Sequence, residues 1–310
     1  MDSFFFLVVL KLLISLIRAD RLTLQHLTES PLALCNDGTS ATYHFTEEGL
    51  DNPNILIYLQ GGGACVNNED CENRCAQTDY CTANLMPTIE KETTFWSQTS
   101  QENPFRDYAK AYVHYCSSDL WSGTREASQE TNGLNFYGKY IVDAVVTDII
   151  KKKPNIENTT RIVLMGTSAG AFGVNLNCDF VADKFHEVNP GLDVRCISDS
   201  ADFYPAWVHT ENCDPYLQPA MLTEFWQSKR DVSCEEQSTA GSVECSMFTS
   251  YYNFIETPLM VVGRFIDTTV RGECTPELDQ DPEFWKLWQE EVYSLALMFI
   301  GVTIFFKYLY

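Results

Sequence analysis

Arg161-Ile-Val-Leu-Met-Gly-Thr-Ser168-Ala-Gly-Ala-Phe-Gly173 is an apolar run that stops abruptly at Gly-x-Ser-x-Gly. The reading of this stretch decides the fold. Ile162 to Met165 predict a buried strand and Val174 to Phe185 a helix, with Ser168 at the turn between them. Such a turn is strained, and the helix must pack close to the strand, so glycines flank the serine. The chemistry it suits is acyl transfer. A hydroxyl held at an apex faces backbone amides able to receive an oxyanion, provided a base is within reach.

Working outward, strands alternate with helices. Asn54 to Leu59 is a second apolar run and ends in Gln60-Gly61-Gly62-Gly63, where a buried strand entering a glycine triplet leaves backbone N–H groups free in one concavity. Cys35 to Thr42 reads as a turn entering a strand. Tyr108 to Tyr115, Val194 to Ile197 and Thr257 to Gly263 predict further strands. Tyr137 to Lys153 has helical spacing. Together they predict an α/β fold, a mostly parallel central sheet flanked by helices.

The ends differ in character from the middle. Residues 1–19 have the short apolar core and Ala19 cleavage point of a signal peptide, although Asp2 stands where a basic cluster is usual. Residues 20–291 form the predicted enzyme domain. Residues 292–310 are an atypical apolar tail; its run of about 15 residues is short of the ~20 a spanning helix needs, and it offers the one possible membrane anchor.

Twelve cysteines, all beyond the leader, suit an oxidising compartment and disulfide-stapled loops. Cys65, Cys71, Cys75 and Cys81 cluster in the polar stretch Cys65 to Pro104, with no Cys-x-x-Cys and no histidine nearby, so a staple is expected there rather than a metal. Asn158-Thr-Thr is a glycosylation sequon on a polar segment. The formal charge of −22 argues against nucleic acid and anionic membrane surfaces as partners.

Five blocks, in order, carry a family resemblance: Cys35-Asn-Asp-Gly-Thr-Ser, Leu59-Gln-Gly-Gly-Gly63-Ala-Cys65, Tyr115-Cys-Ser-Ser-Asp-Leu-Trp-Ser-Gly123, Gly166-Thr-Ser-Ala-Gly170 and Cys196-Ile-Ser-Asp-Ser200. The chain resembles the pectin acetylesterase/Notum family from Leu32 to Glu291. That resemblance implies an α/β-hydrolase-like fold and a secreted carboxylesterase needing no metal or cofactor. Its substrate would be an acylated polysaccharide or a lipidated protein. The resemblance implies Ser168 as nucleophile, Asp267 as triad acid, and the Gly62, Gly63 and Ala169 amides as oxyanion hole. The Tyr115 to Gly123 block is closer to the Notum branch, while Gly63-Ala64 departs from a bulkier tryptophan in both branches.

One element of the triad is not written where the family places it. The five histidines end at His209, well before Asp267, and the implied position of the base falls past Tyr310. From Val292 an apolar tail replaces the family's last segment. A valine codon begins with GT, as does a splice donor, so a retained intron would write this pattern. The alternatives are a truncated isoform and a non-catalytic acyl- or glycan-binding member. Asp199 is a second, weaker acid candidate. His209, His114, His26, His44 and His186 read as structural.

Overall fold

The computed structural model describes residues 22–46, 52–84, 101–153, 156–200, 224–229, 252–264 and 304–307, with Cys234, Cys245 and Lys286. Eight strands form one sheet. They are β1 (Leu22–His26), β2 (Thr42–Thr46), β3 (Asn54–Leu59), β4 (Ala109–Val113), β5 (Arg161–Thr167), β6 (Asp193–Asp199), β7 (Leu259–Arg264) and β8 (Ile304–Lys307). Their order is β1-β2-β4-β3-β5-β6-β7-β8. The pairs β1–β2 and β2–β4 are antiparallel and the other five parallel, which is the mostly parallel sheet the sequence predicts.

Alternation along the strands divides the apolar residues between two faces. Ile55, Ile57, Leu59, Ile162, Leu164 and Val194 join the main core, whereas Leu56, Val163 and Met165 pack on the other face with Phe105 and Tyr108. Helices α2 (Gly138–Lys152) and α3 (Ala169–Val188) cover the main face with Ile141, Val145, Ile149, Val174, Val181 and Phe185. Cys178–Cys196 ties α3 to β6.

Three features were not read from the sequence. β1 and β8 are short edge strands, and β8 comes from the apolar tail. Helix α1 (Asn68–Gln77) lies inside the cysteine-rich excursion, with Asn67 accepting from the Asp70 N–H at 2.9 Å as its cap. Helix α3 also begins at Ala169, five residues earlier than its apolar spacing suggests, because Ser168 is itself the N-cap.

Disulfides Cys35–Cys116, Cys65–Cys71, Cys75–Cys81, Cys178–Cys196 and Cys234–Cys245 pair ten cysteines. The clustered four are thus two six-residue staples around α1, not metal ligands. Residues 1–19 and most of 292–310 lie outside the described residues, and among those described no helix is long and apolar enough to cross a membrane.

Candidate active site

Strand register creates the site. Leu59 pairs with Gly166, so β3 and β5 end side by side and their following turns meet at one carboxyl edge of the sheet. Ser168 sits at that edge with φ 56° and ψ −123°, a backbone conformation that costs roughly 1–3 kcal/mol for a residue other than glycine. Its surroundings hold it there. The Ser168 N–H donates to the Asp199 carbonyl at 3.1 Å, and its own carbonyl accepts from Ala171 at 2.7 Å and Phe172 at 3.2 Å. The side chain is exposed.

The elbow glycines are required by close approach. A Cβ on Gly166 would lie 2.2 Å from the Gly170 carbonyl oxygen, and one on Gly170 would lie 2.1 Å from the Leu59 carbonyl oxygen. Real Cβ atoms do not come so near, so no side chain fits between helix and strands.

The second turn lies against the first. A Cβ on Gly61 would fall 2.3 Å from the Thr167 carbonyl oxygen and 3.2 Å from Ser168 Cβ. Gly62 and Gly63 adopt φ of +146° and +68°. The N–H groups of Gly62, Gly63 and Ala169 have no hydrogen-bond acceptor among the described residues. Free amides beside an exposed hydroxyl are the raw material of an oxyanion hole.

Partners distant in sequence brace this loop. Trp121 Nε1 donates to the Gln60 carbonyl at 3.1 Å, and the Cys65 N–H donates to the Ser118 carbonyl at 3.1 Å. Trp226 Nε1 donates to the Cys65 carbonyl at 2.7 Å. Ser118, Leu120 and Trp121 all have positive φ, and the fully buried Asp119 organises them. Its carboxylate accepts from Ser117 Oγ at 2.6 Å, Trp121 N at 3.1 Å and Gly138 N at 2.7 Å. The last bond places a carboxylate at the N-terminus of α2, where the helix dipole favours it. Burial nevertheless pushes the Asp119 carboxyl up to about 6, the hydrogen bonds to it pulling the other way. In the sequence the Tyr115 to Gly123 block carries only the family resemblance, and no local pattern assigns Asp119 this role.

No described histidine serves Ser168. His114 is buried, with Nε2 donating to the Thr82 carbonyl at 3.0 Å and Nδ1 3.0 Å from Gln60 Oε1. Burial lowers its pKa below the usual imidazole value. His186 Nε2 donates to the Leu192 carbonyl at 3.0 Å. His44 lies in β2 and His26 ends β1, both on the antiparallel side of the sheet. Asp199 ends β6 beside the elbow, with Thr167 Oγ1 donating to Oδ2 at 3.4 Å and Ser200 Oγ donating to Oδ1 at 3.4 Å. Asp267 and His209 lie outside the described residues.

A strained serine between a central strand and its helix, on a mostly parallel sheet, defines an α/β-hydrolase-like protein with a nucleophile-elbow turn. The comparison with known families agrees. The pectinacetylesterase family model matches residues 18–294, and the chain belongs to that family. Among its relatives, the palmitoleoyl-protein carboxylesterase notum1 of Xenopus laevis is 30% identical over 254 residues, 78% of this chain and 51% of the relative. Palmitoleoyl-protein carboxylesterase NOTUM of Homo sapiens is 30% identical over 254 residues, 78% of this chain and 50% of that protein. The Drosophila melanogaster protein of that name is 27% identical over 247 residues. The chain spans about half the length of the curated relatives it matches.

Proposed function

We propose that the chain is a secreted carboxylic ester hydrolase scaffold in which Ser168 is the nucleophile. The observation that carries this is the strained, exposed Ser168 lying against the Gly61 backbone. Ser168 Oγ attacks the ester carbonyl, and the Gly62, Gly63 and Ala169 N–H groups receive the oxyanion. Collapse of the tetrahedral adduct expels the alcohol and leaves an acyl-serine, which water hydrolyses. Asp267 is the proposed acid of the triad, by family resemblance. Secretion is supported by the five disulfides, and Asn158, exposed on a single turn of helix, is the proposed glycan site.

The substrate is an acyl ester on a lipidated protein, as the relatives' names suggest, or an acetyl ester on a polysaccharide, as the family name suggests. A p-nitrophenyl ester series from acetate to long acyl chains separates the two. The proton is the weak link, since no described histidine reaches Ser168 Oγ. Where no base serves Ser168, hydrolysis of these esters is expected to run only about 10³–10⁴-fold faster than water, the activity left without a triad member. Added imidazole should raise the rate, and Ser168→Ala should remove the rescued part while leaving the basal part nearly unchanged. Fast hydrolysis without imidazole, lost in Ser168→Ala, would mean that another base serves, with His209 the first to test. Imidazole-stimulated release that is indifferent to Ser168→Ala defeats the proposal and leaves a non-catalytic acyl-binding protein.

A further inference from the structure

Beside the glycine loop lies an arginine with no carboxylate partner among the described residues. Arg74 projects from the last turn of α1. Its Nη2 donates to the Gly62 carbonyl at 2.5 Å and its Nε donates to Ser118 Oγ at 2.9 Å. The guanidinium lies 4.7 Å over the Tyr80 ring and 6.0 Å from the centre of the Tyr115 ring. Tyr80 fills the space a Gly62 side chain would need, with ring carbons 2.5 and 2.6 Å from that Cβ position. The platform is itself fixed, by the Asn67 cap at one end of α1 and the Cys75–Cys81 staple at the other.

The Gly62 carbonyl and the Gly63 N–H belong to one trans peptide, so they point in opposite directions. Fixing the carbonyl on Arg74 turns the Gly63 N–H away from the guanidinium, where it has no acceptor among the described residues. Resting on the esterase reading above, we infer that Arg74 is a positioning residue, clamping the Gly62–Gly63 peptide so that the Gly63 N–H serves the oxyanion.

Two contributions follow. A charged donor on the carbonyl polarises the peptide, and such coupling strengthens the next hydrogen bond by about 10–30%. It also holds Gly62 and Gly63 in one conformation before the charge develops, so no reorganisation is needed during the reaction. The planar fork matters because it reaches two acceptors at once; an ammonium on a flexible stem does so poorly.

The test uses the full chain with Arg74→Met and Arg74→Lys. Glycine-selective amide NMR reads the clamp directly, because the Gly63 nitrogen shift depends on the hydrogen bond to the preceding carbonyl. Arg74→Met should move that resonance clearly, and Arg74→Lys should move it part of the way. An unmoved Gly63 resonance in Arg74→Met overturns the inference. Imidazole-rescued p-nitrophenyl acetate release reads the consequence. Loss of a whole oxyanion donor costs roughly 10²–10³-fold, so Arg74→Met should lower kcat about 10- to 100-fold and Arg74→Lys should recover part of it. KM should change by less than about twofold, since the interaction is made in the transition state. A folded Arg74→Met with unchanged kcat also overturns the inference. Imidazole-stimulated release indifferent to Ser168→Ala refutes the esterase reading alone, and the Gly63 resonance then judges the clamp.

Discussion

Apart from Gly61, which meets the Thr167 carbonyl, the two glycine turns beside Ser168 are built by opposite means. At Gly166 and Gly170 the neighbours that exclude a side chain are backbone atoms, the Gly170 and Leu59 carbonyls. The elbow is thus a property of a strand and helix meeting at close range. At Gly62 the excluding neighbour is the Tyr80 ring, and the loop hangs on Arg74, Trp121 and Trp226, contributed from three other parts of the chain. Two turns of similar composition therefore have different vulnerabilities. The elbow answers to changes in its own residues, the loop to changes far away in sequence.

The largest expected effect comes from the elbow. Gly170→Ala places a methyl carbon 2.1 Å from a carbonyl oxygen of β3, which has no room to retreat inside a parallel sheet. We expect a loss of more than about 4 kcal/mol, the range reserved for severe overpacking, and little soluble folded protein. Ordinary urea unfolding of Gly170→Ala, within about 1 kcal/mol of wild type, would break the claim that backbone contact makes this turn.

A second effect acts on the loop side through Asp119. Its carboxyl is raised from 3.8 to about 6, so the folded state holds the proton more tightly than the unfolded chain. The stability this confers is fully present below 3.8 and is lost as pH rises through about 6. The swing is at most about 3 kcal/mol. Asp119→Asn removes it. The difference in urea-derived stability between wild type and Asp119→Asn should shift in favour of the variant as pH rises from about 4 to about 6. A difference flat with pH would show that Asp119 does not titrate in this window.

The smallest effect sharpens the contrast. Gly62→Ala should cost about 1–3 kcal/mol through its left-handed backbone and the Tyr80 ring together. In a Tyr80→Ala background the steric part disappears, so a double-mutant cycle should return a favourable coupling of about 1 kcal/mol. The same cycle run between Gly166→Ala and Tyr80→Ala should return no coupling. Equal couplings at both turns would erase the distinction.

The sequence by itself determined the class of fold and the apex of the site. Periodicity was enough for β3, β5 and α2, because runs such as Ile55 to Leu59 are buried on both faces and α2 is apolar on one. Ser168 was legible because its glycines serve contacts made within a few residues of it and one neighbouring strand. Ten paired cysteines follow the even count, but their partners did not, since pairing depends on where the chain returns in space. Helix α1 was hidden in a polar, cysteine-rich stretch with no apolar face to betray it. Arg74 was not singled out by any pattern in the sequence, and Asp119 stood only as one residue of the Tyr115 to Gly123 block. Only the tertiary structure decided their places, because Gly62, Ser118 and Gly138 come to them from distant parts of the chain, and no local pattern encodes such a meeting.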